Sequence, residues 1–178
     1  MATDLRKTGI DVISQMPWGT HFCLFYETKE DLLDTLVPYF KAGLEDNEFC
    51  VWVVADPLTE EDAWRALSQA VPALERHRSN QSIEVLPARD WYLNVGHFEL
   101  DRVTSAWNRK LTQALAQGYA GMRVSGDTLW LEKKTWQSFY EYENQLDESI
   151  TDQPMAVLCT YPLTSSGAAE ILDVARSH

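Results

Sequence analysis

The stretch G-T-H-F-C-L-F-Y-E-T-K-E-D-L-L, residues 19–33, decides how the rest of the chain is read. Its first half, HFCLFY (21–26), is an apolar run rich in strand-forming residues. Its second half opens a helix at Thr28, where Asp31 completes a capping box. A strand that runs straight into a helix begins an α/β fold, and the turn between them is where such folds bind phosphate. Phosphate loops use glycines to let amides converge on the oxygens, and a lysine for charge. This turn is Tyr26-Glu27-Thr28-Lys29 and contains no glycine. The strand before it carries His21 and Cys23, two soft ligands on one face because strand side chains alternate.

Four more apolar runs follow: FCVWVVA (49–55), SIEVLPA (82–88), GMRVSG (121–126) and MAVLCTY (155–161). Most are apolar almost throughout, as in parallel strands covered by helices on both faces. Amphipathic stretches separate them. Thr59 with Asp62 repeats the capping box, Leu100, Val103, Trp107, Leu111 and Leu115 form one helical face ending at Gly118, and Ala168, Ile171, Leu172 and Ala175 line a last helix. The alternation with right-handed crossovers predicts an α/β fold: one three-layer α/β/α sandwich over 1–178, with about 1–17 as an N-terminal extension. The loop RDWYLNVGHF (89–98) is the one connection with room to act as a lid.

The formal charge is −12 and the pI about 4.6, so the surface repels nucleic acid and anionic membranes. No stretch is apolar enough to span a bilayer, and the first residues, MATDLRKTGIDVISQ, contain no apolar signal region. Cys23, Cys50 and Cys159 are odd in number and each lies in an apolar run, which fits a reducing compartment. The expectation is a cytoplasmic protein that touches neither nucleic acid nor membrane.

Ligands of open parallel sheets sit at the carboxyl ends of the strands. That rule selects Tyr26 and Glu27, Asp56, the Trp91–Tyr92 loop, Asp127 and Tyr161. His21, Cys23 and Cys159 form a possible metal or haem set if the fifth run neighbours the first. The same cysteines also suit a plain core, and the aromatic set Trp91, Tyr92, Phe98, Trp130 and Tyr161 suits either core or the wall of an apolar pocket. No G-x-x-x-x-G-K-[ST], C-x-x-C or H-E-x-x-H occurs. ATPase activity is therefore not expected, and no hydrolase or redox motif is found.

Read as an ordered set, GTHFCLFYETKEDLL, FKAGLEDNEFCVWV, WYLNVGHF, GYAGMRVSGDTLW, YENQL and LCTYP resemble the MEDS domain, the methanogen/methylotroph, DcmR-type sensory domain. The resemblance covers about Trp18 to His178. It implies a non-enzymatic ligand-sensing module on a RecA-like sheet without a working phosphate loop, with strand order 5-1-4-3-2. Such modules are joined to histidine kinases or DNA-binding regulators, in cis or in trans, and are proposed to sense small hydrocarbon derivatives. The family's H-x-C-x-x-Y falls on His21, Cys23 and Tyr26, and R-V-S-G-D places Asp127 where related ATPases carry a strand-end aspartate. No kinase, receiver or helix-turn-helix segment follows in this sequence, so the expectation is either a sensor fragment of a longer protein or a chain that works by pairing with another, a homodimer included. The alternatives are a nucleotide-binding regulator that uses Asp127 and Lys29, and a metal or haem sensor. The cofactor is unspecified.

Overall fold

The computed structural model describes residues 4–93, 97–128, 136–164 and 166–178. A hairpin of β1 (Leu5–Ile10) and β2 (Ile13–Pro17) leads into β3 (His21–Tyr26), α1 (Lys29–Glu45) and β4 (Phe49–Val54). Then come α2 (Glu60–Ala70), α3 (Leu74–Ser79), β5 (Ile83–Pro87), α4 (Ala88–Tyr92) and α5 (Leu100–Ala116). The chain continues through β6 (Met122–Asp127), α6 (Trp136–Ile150), β7 (Met155–Pro162) and α7 (Ala168–Ser177). Both expected capping boxes form: Thr28 with Asp31 opens α1, and Thr59 with Asp62 opens α2.

The five long apolar runs make one parallel sheet, in the order β3-β7-β6-β4-β5. Numbered as the runs occur in sequence, this is 1-5-4-2-3, which corrects the expected 5-1-4-3-2. The first run is an edge strand that pairs with the fifth. Apolar composition reports that helices cover both faces; it does not report which strands flank a run. Burial makes the distinction. Every residue of β6 and β7 is buried, whereas the four interior residues of β3 are only half-buried, as befits a strand with one open side.

The sheet divides the core in two. One face carries Val51, Val53, Val124, Val157 and Cys159 against α4, α5, α6 and α7. The other carries Cys50, Trp52, Val54, Ala156 and Leu158 against α1, α2 and α3. Along α6, Tyr142 and Ile150 join Phe139 and Leu146 in the core.

The N-terminal hairpin is fastened at the amino ends of the strands. Arg123 of β6 is fully buried, and its Nε donates to Glu48 Oε2 at 2.5 Å. Its other nitrogens donate to the carbonyls of Lys7 (2.8 Å), Thr8 (3.2 Å) and Tyr39 (2.7 Å). Arg6 of β1 donates to the second oxygen of Glu48 at 2.9 Å. Gly43 leaves the room this requires: a Cβ there would lie 2.9 Å from Arg123 Cδ and Nε.

Candidate functional site

Strand alternation sorts the candidate residues before any distance is measured. His21, Cys23 and Phe25 point to the α6–α7 face, while Tyr26, an odd number of residues from each, points to the α1–α2 face. Asp127 and Thr160 share the face of Tyr26, where Thr160 Oγ1 donates to Asp127 Oδ2 at 2.7 Å. Burial, then the charge of Asp127 and a hydrogen bond to it, raise the Tyr26 phenol above its ordinary range. Leu32, Leu36, Trp52, Val54 and Leu58 close this strand-end region and leave no space wide enough for a water molecule. Lys29 pairs with Asp62, whose carboxyl is lowered to about 2, chiefly by that contact. The sheet therefore separates Tyr26 and Asp127 from His21, Cys23 and Cys159.

On the α6–α7 face, four buried donors from four elements converge. His21 Nε2 of β3 lies 3.4 Å from Cys159 Sγ of β7 and 3.3 Å from Glu143 Oε2 of α6. His178, just past α7, brings Nε2 to 3.1 Å from the same Glu143 oxygen, and its ring centroid lies 4.0 Å from that of His21. Cys159 Sγ approaches Glu143 Oε1 at 3.7 Å. One ligand atom from each of the four falls within 4.8 Å of every other. The side chains of His21, Glu143 and His178 are 0, 2 and 3% exposed. Cys23, paired in register with Cys159, is half-buried and outside this quartet.

The electrostatics follow from burial. Desolvation pushes Glu143 up, but contacts with His178 and His21, and then their charges, bring its carboxyl down to about 2. Burial, followed by the Glu143 charge, holds the Cys159 thiol well above its ordinary range; the same two causes raise Cys23. Asp147, one helical turn past Glu143 on α6, sets Oδ1 3.6 Å from His21 Nδ1.

The aromatic candidates fall into two groups. Tyr161 lies beside the quartet, edge-on to His178 at 5.8 Å and tilted against Phe25 at 5.8 Å. Trp91 and Tyr92 belong to α4 and the core: Trp91 packs on Trp107 at 4.2 Å, and Arg102 donates to the carbonyls of Trp91 and Tyr92. Gly126 makes room for Tyr92, whose hydroxyl would sit 2.3 Å from a Cβ there. The first part of the expected lid is thus a packed helical turn; residues 94–96 and Trp130 lie outside the described residues.

Sequence reading missed Glu143 and His178. Both carry a helical signal. Glu143 is four residues after Phe139 and three before Leu146, inside the apolar stripe, and His178 is four after the buried Val174.

A family model described as MEDS, MEthanogen/methylotroph, DcmR Sensory domain, matches residues 20–178. No curated protein matches the sequence. Among solved structures, the KaiC-like protein PH0186 from the hyperthermophilic archaeon Pyrococcus horikoshii OT3 is similar at TM-score 0.65 and 15% identity, over 96% of this chain and 77% of that one. The flagellar accessory protein FlaH from Methanocaldococcus jannaschii is similar at TM-score 0.60 and 7% identity, over 92% of this chain and 70% of that one. At such identities the likeness is one of fold, and the fold is RecA-like.

Proposed function

The chain belongs to the MEDS sensory-domain family, and from that premise we propose that it senses a small ligand on the α6–α7 side of β3 and β7, without catalysis. One observation carries this reading: the donors of the buried quartet come from two strands, from α6 and from the residue that follows α7. A ligand held there ties α7 to the sheet through His178, and its departure releases that tie. A sensor needs such a difference, since a ligand shifts an equilibrium only through unequal contacts with two states. His21, Cys159 and Tyr161 are the contacts, with Cys23 at the half-buried approach, and small hydrocarbon derivatives are the first ligand class to test. The output, through α7, is a histidine kinase or a DNA-binding regulator in the same or another chain.

The strand-end aspartate supports a different reading, nucleotide binding at Asp127. The packed side chains over Asp127, and a glycine-free turn whose lysine is engaged by Asp62, favour the sensory one. Thermal shifts separate them. Short alcohols or halogenated hydrocarbons should raise the melting temperature, with the response lost in Cys159→Ser. Stabilisation by ATP with magnesium that vanishes in Asp127→Ala, or phosphate release above background, would overturn the proposal.

A further inference from the structure

We infer that His21, Glu143, Cys159 and His178 form a binding site for one divalent transition-metal ion of the zinc class, which fastens α7 to the sheet. The donor set is two imidazoles, one thiol and one carboxylate. Nitrogen and sulfur ligands select borderline-soft ions such as Zn²⁺ or Co²⁺, whereas Mg²⁺ and Ca²⁺ take oxygen.

Distances agree with the chemistry. Ligand atoms about 2.0–2.3 Å from a tetrahedral zinc stand roughly 3.3–3.6 Å from one another. Among His21 Nε2, His178 Nε2, Glu143 Oε2 and Cys159 Sγ, three separations are 3.1, 3.3 and 3.4 Å, the thiol meets the other Glu143 oxygen at 3.7 Å, and one ligand atom from each residue lies within 4.8 Å of every other. Two buried atoms at the site, Glu143 Oε2 and His21 Nδ1, have no partner in hydrogen-bond geometry. Glu143 Oε2 is one of the four converging ligand atoms. His21 Nδ1 faces Asp147 Oδ1 at 3.6 Å, and a carboxylate behind a ligating imidazole is the usual way a metal-bound histidine is oriented.

Charge gives the second argument. An ionised carboxylate taken out of water needs a compensating charge. No lysine or arginine is paired with Glu143 among its described contacts; it faces imidazoles and a thiol. A dication with the Glu143 carboxylate and a Cys159 thiolate sums to zero, with both histidines neutral. The competing solution is a single imidazolium that neutralises Glu143 without any ion, and it predicts that no metal binds. Four protein ligands also leave no open position, which is the arrangement of structural rather than catalytic zinc.

The ion and an organic ligand would take His21 and Cys159 in turn and not together, so the metal site is tested with no organic ligand present. The full chain, stripped with a chelator, is titrated with Co²⁺ and followed by visible absorption, and zinc is then added to displace it. The expected result is one equivalent bound, with tetrahedral cobalt bands and a thiolate-to-cobalt charge-transfer band. Cys159→Ser should lose the charge-transfer band, and His178→Ala should weaken binding while circular dichroism stays unchanged. Asp147→Asn, which acts through His21, should weaken binding about 10- to 100-fold without altering the cobalt geometry. Cys50→Ser should titrate like the unmodified chain. Failure to bind Co²⁺ or Zn²⁺ at equimolar concentration, or a charge-transfer band that survives Cys159→Ser, overturns the metal site. In either case, an alcohol-induced thermal shift that still depends on Cys159 would leave the sensory reading standing.

Discussion

Two glutamates are buried among the described residues, and their surroundings differ in kind. Glu48, at the amino ends of the strands, accepts from two guanidinium groups, and Arg123 also donates to three backbone carbonyls. Glu143, on the opposite face of the sheet, meets two imidazoles and a thiol. A guanidinium keeps its proton at any accessible pH. The first cluster therefore has one protonation state and stays closed. Imidazole and thiol can each exchange a proton for a metal ion or another ligand. The second cluster thus has the chemistry to exist in two states. Burial of a charge is common to both; what separates a fastener from a switch is whether the partner can be exchanged.

The largest effect that tests this contrast is expected from Arg123→Met. It leaves Glu48 buried with Arg6 as its remaining cation and should cost about 3–5 kcal/mol, measured by urea unfolding. A loss under ~1 kcal/mol would remove the fastener from the comparison. Next, zinc at roughly 100 times its Kd should stabilise the chelated chain by about 2.7 kcal/mol. That gain should disappear in His178→Ala and survive in Cys50→Ser. A smaller effect follows from the cysteines themselves. Cys50→Ser should cost about 1–3 kcal/mol, the penalty of a poorly paired buried hydroxyl, and leave the alcohol response intact, whereas Cys159→Ser should abolish the response. Equal loss of response in both variants would indicate general destabilisation. The smallest change is expected for Glu143→Gln in metal-free protein. The amide keeps the volume and a carbonyl oxygen to which the imidazoles can still donate, so the cost should fall well below that of Arg123→Met. A cost as large as that of Arg123→Met would make both clusters fasteners, and the contrast would collapse.

The runs that became β3 to β7 were legible because both faces of each strand are covered, and α1 and α2 because Thr28 and Thr59 write their starts into the sequence. Strand order was not legible, since HFCLFY reads like a central strand although β3 lies at the edge. The hairpin escaped notice because LRKTGI and ISQMP bury little beyond Thr8 and Met16. At the candidate site, His21 and Cys159 stood out as soft donors in apolar runs. Tyr26 joined them through its place at a strand end and the H-x-C-x-x-Y pattern, although an offset of five residues from His21 sends it through the sheet. Glu143 was hidden among 27 acidic residues, most of the kind that solvate helix surfaces. The apolar neighbours at helical spacing mark it as different, and that mark becomes decisive only once β7 places a thiol opposite it.

The open side of β3 has a consequence for how the protein can be watched. Val157 donates to the Thr20 carbonyl and Leu163 to that of Tyr26, so even-numbered backbone groups of β3 turn toward β7. The amides of Cys23 and Phe25 then face away from the ladder, and no described strand pairs with them. One strand therefore carries two isotope clocks in alternation: slow deuterium uptake at Phe22 and Leu24, fast uptake at Cys23 and Phe25. The slow pair times the opening of the β3–β7 seam that His21 and Cys159 straddle, while the fast pair supplies an internal zero a single residue away.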